Sequence, residues 1–231
     1  MDDRRPIQEF LQGLKEITPL ALGVIIYGLA FGLLAAQAHM SSLQVGTMGT
    51  LVFAGASQIL VVERLVAGAG AAAALIAAIA INLRLLLVTA SIRDVYIGRP
   101  WWQIMIGAHM ATDENWALML ATRARGQNVG FWYLVGGGMC LWFVWITSTT
   151  LGVLFATQIP EPRALGMDFA FTAAFIAIAT SLWQDRSDLI PWIISAGIVA
   201  LCLLTGWLDS SWALVLGGCT GAAAAGVLNN D

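Results

Sequence analysis

The chain has 231 residues, of which 59% are hydrophobic and only 11% are charged, and its mean hydropathy is +0.80. Because soluble proteins carry about 25% charged residues, this composition excludes a water-soluble monomer and predicts a protein embedded in a lipid bilayer. The net charge of −3 and the lack of a basic tract exclude a nucleic-acid partner.

The first 17 residues precede the apolar part of the chain. They carry charges of both signs and show no small-residue cleavage site after a short apolar core, so we expect the segment to be retained. After Pro6, apolar side chains recur at helical spacing from Phe10 to Ile17. Two interpretations stay open for residues 1–17: a short helix at the membrane interface, or a mobile polar tail.

The rest of the sequence divides into apolar runs separated by charged residues, prolines or glycines. A helix needs about 20 apolar residues to cross the roughly 30 Å of hydrocarbon, and seven or eight runs reach this length. They cover residues 18–38, 43–62, 69–92, 101–121, 131–157, 165–183, 189–207 and 211–228. The longest polar connection, 123–130, is too short to separate two cores. The sequence therefore predicts an all-α, polytopic membrane protein of one domain, 1–231, with seven or eight transmembrane helices. Whether any of these helices is broken or re-entrant stays open.

Two segments begin in a similar way, YGLAFGLLAA at Tyr27 and MDFAFTAAFIAIA at Met167. Many transporters contain an internal repeat. Small residues and phenylalanine also recur by chance in apolar sequence, so both interpretations stay open.

The distribution of basic residues predicts an orientation. If every run crosses the bilayer, Arg4, Arg5, Lys15, Arg64, Arg123, Arg125 and Arg186 lie on the side of the N-terminus, and Arg93, Arg99 and Arg163 lie on the other. The positive-inside rule then places the N-terminus in the cytoplasm. A broken or re-entrant segment would change the assignment of everything that follows it.

Ionisable residues inside the apolar runs are candidates for a functional site, because a charge at the bilayer centre costs about 2.5 kcal/mol or more. Arg84 lies midway along the third run, just after Asn82. Asp113 and Glu114 lie midway along the fourth run, and His109 precedes them by one turn. A short connection predicts that the two runs are antiparallel neighbours, so that an ion pair between Arg84 and Asp113 is feasible. Such a pair can belong to a site or merely hold two helices together.

Helical geometry adds expectations for these side chains. His109 and Asp113 are four residues apart and should share a helix face. Asp113 and Glu114 point about 100° apart, so both reach one cavity only if it is wide, and otherwise one faces another helix. Asn82 and Arg84 face opposite ways in a regular helix, so a common site requires local unwinding. His109 is either a satisfied interior histidine or a proton carrier.

The second run contains three small residues, Gly55, Ala56 and Ser57, followed by Gln58. They permit a break in the helix, which would expose backbone groups of the kind that transporters use to hold the charged ends of substrates. They also permit a tight crossing in which Ser57 and Gln58 bond across helices.

Patterns typical of enzymes and metal sites are lacking. The sequence contains neither GxSxG nor HExxH, and no glycine-rich phosphate loop. Its three cysteines lie in apolar runs without CxxC spacing, and the two adjacent acids beside His109 do not present a closed ligand set. We therefore expect no enzyme activity, no metal and no cofactor, with an intramembrane enzyme as the alternative.

The sequence resembles the AzlC family, the large subunit of bacterial two-component branched-chain amino acid exporters. The resemblance is carried by TPLALGVIIYGLAFGLLA in the first run, FAGASQ at 53–58, NLR at 82–84, TDE at 112–114 and DFAF at 168–171. The family usually has an aromatic residue or histidine after NLR, whereas this chain has Leu85–Leu87, which leaves the substrate preference open. The resemblance implies a bacterial inner-membrane exporter of valine, leucine, isoleucine and methionine. It also implies coupling to the proton gradient and a small AzlD-like membrane subunit as partner.

The candidate substrate-binding or proton-coupling residues are Ser57, Gln58, Asn82, Arg84, His109, Asp113 and Glu114. We expect Arg84, or exposed N–H groups near Ser57 and Gln58, to hold the carboxylate of an amino acid. Asp113 or Glu114 would hold its ammonium group, and either acid can also exchange a proton in each cycle. The alternative is a passive channel or an accessory membrane subunit whose polar residues are structural.

Overall fold

The computed structural model describes residues 6–66, 68, 70–156, 186–208 and 210–228, and every regular element in these ranges is helical. The α-helices are α1 (Pro6–Glu16), α2 (Thr18–Gln37), α3 (Ser42–Leu51), α4 (Gly55–Val66), α5 (Ala71–Ser91), α6 (Trp101–His109), α7 (Asp113–Ala124), α8 (Phe131–Phe155), α9 (Leu189–Thr205) and α10 (Ser210–Leu228). Short 3-10 helices cover Arg93–Tyr96 and Arg186–Asp188. The predicted run 165–183 lies outside the described residues, and so do DFAF and the second half of the suggested repeat.

Four helical segments of the described part are long and apolar enough to cross a membrane: α2, most of α5, α8, and the helical stretch Arg186–Thr205 that contains α9. Their outward faces are apolar. On α5, for example, Leu83, Leu86 and Leu87 are all exposed, which suits contact with lipid and not with water. The predicted all-α, polytopic fold class is confirmed.

Two of the predicted runs are each split into a pair of helices. Run 43–62 becomes α3 and α4 with a turn at 52–54, and run 101–121 becomes α6 and α7 with a turn at 110–112. A break in run 43–62 was one of the two interpretations of its small residues. The break in run 101–121 is a correction, and its cause is local: the Thr112 hydroxyl accepts a hydrogen bond from the N–H of Asn115 at 3.3 Å, which starts a new helix at Asp113.

Hairpin 2, defined as α6, α7 and the turn between them (101–124), enters and leaves at the same end of the bundle. Three contacts follow in the same order along α5 with its 3-10 extension and along α7: Arg84 with Asp113, Ser91 with Trp116, and Asp94 with Arg123. These two helices therefore run in the same direction, and α6 runs inward before α7 runs back. The expected antiparallel packing of the third and fourth runs is wrong for the part that carries Asp113.

Hairpin 1, defined as α3, α4 and the turn between them (42–66), enters from the opposite end. Two contacts show that α3 is antiparallel to α8: Gly46 with Thr150, and Thr50 with Trp142. Ser57 of α4 contacts Asn82 of α5, and the short connection from α4 to α5 makes these two helices antiparallel as well. Hairpin 1 therefore starts and finishes at the end of the bundle where α8 ends.

The basic residues are distributed differently from the prediction because each hairpin returns to its own side. The prediction that Arg93 and Arg99 lie opposite the N-terminus is wrong. Asp94 pairs with Arg123, and the guanidinium of Arg99 lies 4.0 Å from the ring of Phe131, at the start of α8. The end of the bundle where α1 ends and α8 begins, called the α1 end below, carries Lys15, Arg93, Arg99, Arg123 and Arg125. Of the described residues placed by these contacts, Arg64 lies at the opposite end.

Residues 6–16 form a helix that packs on α8, so the interpretation of this stretch as a mobile tail is wrong. Gly13 and Gly136 allow the close approach, because a Cβ on either would overlap a backbone carbonyl of the other helix. The N-terminal helix is thus a fixed part of the bundle.

Glu16, at the end of α1, joins a polar cluster with the end of α7 and the start of α8. Its carboxylate accepts hydrogen bonds from Tyr133 at 2.7 Å, Gln12 at 2.9 Å and Thr122 at 3.4 Å, and it lies 4.0 Å from the guanidinium of Arg125. Burial acts to raise the pKa of Glu16, but these hydrogen bonds and the nearby positive charge outweigh burial and lower the pKa.

Candidate functional site

The tips of the two hairpins meet in the middle of the bundle beside a cavity of about 60 Å³. The cavity has a polar side and an apolar side. The polar side is formed by Tyr27, Arg84, Thr112, Asp113 and Glu114, and the apolar side by Val24, Phe53, Ala54, Gly55, Ala56, Leu85, Ala111, Leu141 and Trp145. This volume holds a few water molecules and is smaller than the roughly 300–1,000 Å³ of common ligand pockets. A larger ligand therefore requires the hairpins to move apart.

Arg84 and Asp113 form an ion pair at the edge of this cavity, with 2.8 Å between Nη2 and Oδ2. The pair that the sequence made feasible is thus present. Neither partner is sealed off, because the Arg84 side chain is 40% exposed and that of Asp113 is 24% exposed. The Nε of Arg84 has no acceptor among the described residues, so the guanidinium keeps a donor beyond its bond to Asp113.

Glu114 lines the same cavity as Asp113, although the cavity is small. The expectation that both acids reach one cavity only if it is wide is wrong, because they occupy the first turn of α7, where the helix begins at the cavity. The positive end of the helix dipole also favours carboxylates at this position. Within the described part of the chain, Glu114 has no basic side chain at salt-bridge distance.

The start of α4 presents backbone donors to the cavity. Gly55 and Ala56 open this helix and line the cavity wall, and the first N–H groups of a helix have no acceptor within it. The residue before them, Ala54, has no side chain that could cap the helix, and the described residues supply no other acceptor for these two N–H groups. Phe53, at the tip, has a φ of 37°, a strained value for a bulky residue, and this conformation redirects the chain into α4.

His109 joins the tips of the two hairpins and does not line the cavity. Its Nε2 lies 3.1 Å from the carbonyl oxygen of Thr50, at the end of α3. Because a carbonyl can only accept, this nitrogen carries the proton and donates it. Trp142 donates to the same oxygen at 3.3 Å. The expectation that His109 shares a helix face with Asp113 is wrong, because the chain breaks between them.

Three further candidates hold helices together behind the cavity wall. The Asn82 amide donates to the hydroxyl of Ser57 at 3.2 Å, and Gln58 accepts a hydrogen bond from Trp145 at 2.8 Å. Ser57 and Gln58 are fully buried, as the tight-crossing interpretation predicts. Since α5 is continuous through Asn82 and Arg84, no local unwinding is needed: the two side chains reach different partners from one helix.

Three aromatic residues of the cavity, Tyr27, Phe53 and Trp145, and one buried amide were not among the sequence candidates. Tyr27 and Trp145 lie in the middle of apolar runs and not at their ends, and this position was the available signal for them. Asn115 is fully buried, and its amide donates to the carbonyl oxygens of Met110 and Leu134. These two bonds close the tip of hairpin 2 and fasten it to α8.

The similarity to known proteins extends over the helices that form the cavity. The model of the family described as AzlC protein matches residues 19–159, which include α2 to α8, both hairpins and the cavity. The inner membrane protein YgaZ of Escherichia coli is 27% identical, over 88% of this chain and 91% of that protein. An uncharacterized membrane protein of Helicobacter pylori is 25% identical, over 85% of this chain and 87% of its own length. The branched-chain amino acid transport protein AzlC of Bacillus subtilis is 22% identical, over 73% and 65% respectively. No solved structure matches the chain.

Proposed function

The chain belongs to the AzlC family of membrane transport proteins, and from this premise we propose that it exports branched-chain and other apolar amino acids across the bacterial inner membrane. The observation that carries the proposal is the pair of opposed hairpins, whose tips meet at a cavity lined by a guanidinium group, by the backbone at a helix start and by two carboxylates. A zwitterionic amino acid needs this combination of partners.

The carboxylate of the substrate is assigned to the N–H groups of Gly55 and Ala56, with the spare donor of Arg84 nearby. Helix N-termini bind anions through such donors and through the helix dipole. The ammonium group is assigned to Glu114, the cavity carboxylate that Arg84 does not neutralise. The apolar walls then surround an aliphatic side chain, which gives a preference for apolar substrates.

The hairpins are proposed to be the two gates. The α1 end carries five of the six basic residues that lie at one end of the bundle or the other, which supports a cytoplasmic N-terminus through the positive-inside rule. Hairpin 2 then faces the cytoplasm and hairpin 1 the opposite side. Withdrawal of hairpin 2 admits the substrate, and withdrawal of hairpin 1 releases it, as alternating access requires.

Coupling to protons is assigned to Glu114. Acids that face the interior of a helix bundle serve as proton relays in transporters. A carboxylate that binds the substrate ammonium when ionised, and releases it when protonated, couples the transport of the substrate to that of a proton. A small AzlD-like membrane subunit is proposed as the partner, on the basis of the family alone.

Inverted membrane vesicles test the proposal, because export becomes uptake in them. Labelled valine should accumulate above its external concentration when a proton gradient is imposed, and the accumulation should collapse with a protonophore. The measurement is made with the chain alone and again with a co-expressed AzlD-like subunit. Equilibration without accumulation in both preparations would instead identify a passive channel.

A further inference from the structure

Trp145 is the largest side chain of the cavity wall, and its position is fixed from several sides. The residue is only 3% exposed although it lines the cavity. Its ring stacks on that of Phe31, with 5.7 Å between centroids and 14° between planes, and it lies 5.5 Å from the ring of Tyr27. The indole therefore has little freedom to move away from a ligand.

The hydrogen bond to Gln58 fixes the rotation of the indole. The Nε1 of Trp145 donates to the side-chain oxygen of Gln58 at 2.8 Å, and Gln58 has no exposed surface. A buried N–H requires an acceptor, and the described contacts of this indole N–H are with Gln58. Gln58 is thus a positioning residue for Trp145 and not itself part of the cavity wall.

The same ring touches the helix start that is assigned to the substrate carboxylate. A Cβ added to Gly55 would lie 3.0 Å from Cη2 and 3.3 Å from Cζ2 of Trp145. A substrate anchored at Gly55 and Ala56 therefore has its first side-chain carbons next to the indole. The distance from the anchor to the ring sets how far a side chain can extend.

We infer that Trp145, held by Gln58, limits the size of the side chain that the transporter accepts. This inference rests on the proposed function. It makes the indole the specificity-determining group of the site and assigns Gln58 an effect on selectivity without contact with the substrate.

Relative transport rates test the inference. Initial rates of labelled valine and labelled phenylalanine are measured in inverted vesicles for the wild type, Trp145→Phe and Gln58→Met. One methylene in a hydrophobic pocket changes selectivity by about 10- to 200-fold, so the phenylalanine-to-valine ratio should rise by about tenfold or more in Trp145→Phe. Gln58→Met keeps the length of the side chain but removes the acceptor, and it should raise the ratio by a smaller factor.

Trp142→Phe is the matched control. Trp142 lies on the same helix and donates a hydrogen bond across to Thr50, but it does not line the cavity, so its ratio should match the wild type. An equal ratio in Trp145→Phe and Trp142→Phe would overturn the inference alone. If Trp145→Phe does not reach the membrane, an unchanged ratio in Gln58→Met overturns it. Absence of saturable flux of either substrate in the wild type would refute the proposed function and the inference together.

Discussion

Exchange of the charges of Arg84 and Asp113 tests whether this ion pair belongs to a substrate site or only holds two helices together. In the variant that carries both Arg84→Asp and Asp113→Arg, an ion pair can form again, but its charges are reversed at the cavity. If the pair only holds α5 to α7, transport should be retained when the charges of the two residues are reversed. A pair that belongs to an oriented site should not, because the carboxylate and ammonium ends of the substrate then meet the wrong partners.

The strength of the pair follows from its geometry. Two unit charges about 4 Å apart attract by roughly 4 kcal/mol at an effective dielectric constant of about 20. The two atoms Nη2 and Oδ2 lie 2.8 Å apart, but both side chains are partly exposed, which reduces the net coupling to about 1–2 kcal/mol. A double-mutant cycle of Arg84→Ala and Asp113→Ala, measured by thermal unfolding in detergent, should recover this coupling.

Transport and stability should therefore diverge in the exchanged variant. We expect its stability to return toward that of the wild type and its valine accumulation to stay at background. The matched control is the pair Asp94 and Arg123, also 2.8 Å apart but outside the cavity; exchange of those charges should leave transport intact. Full accumulation by the exchanged Arg84 and Asp113 variant would refute their role in the site.

Three further predictions follow from the fold and the packing. Single cysteines at Ile97 and Gln127, in a cysteine-free background, should react with an impermeant maleimide from the same side of the membrane, because hairpin 2 returns to the end where it enters. Reaction from opposite sides would contradict the re-entrant path. Overpacking costs about 1–3 kcal/mol, so Gly55→Val should lower the transport rate by about tenfold or more. The control Gly23→Val should transport normally because a Cβ there meets nothing within 4 Å, and equal rates in the two variants would contradict the assigned cavity wall. Glu16→Gln should lower the free energy of unfolding by about 1 kcal/mol near pH 7. The difference between variant and wild type should vanish as the pH falls through the lowered pKa of Glu16, because only the ionised carboxylate is favoured in the folded state. A difference that persists at low pH would contradict this reasoning.

Much of the fold could be predicted because the bilayer restricts the choice of structure. Apolar runs of about 20 residues can only be helices in lipid, and the cost of a buried charge singled out Arg84, Asp113 and Glu114 before any contact was known. These three residues all line the cavity. Run length could not show whether a run crosses or turns back, because both paths present the same apolar composition to lipid.

The break in hairpin 2 shows where sequence reasoning was insufficient. The TDEN segment has a Thr at the helix N-cap and acids in the first turn, which is a local signal for a helix start. The cost of a charge in the bilayer, taken alone, instead predicts that the same acids lie in the middle of a helix. The roles of Ser57, Gln58 and His109 could not be predicted, because they depend on contacts between helices that are distant in sequence. These residues support the cavity through hydrogen bonds and do not line it.

The opposed hairpins also constrain how the protein is assembled during synthesis. A turn in the hydrocarbon exposes backbone groups that lipid cannot satisfy, and one such group of hairpin 1 is bonded by residues that are translated later. The carbonyl oxygen of Thr50 accepts hydrogen bonds from His109 and Trp142, and the tip of hairpin 2 is fastened to Leu134. The hydrogen bonds that link each hairpin to α8 can therefore form only after α8 has been translated, so both hairpins gain these contacts late in synthesis.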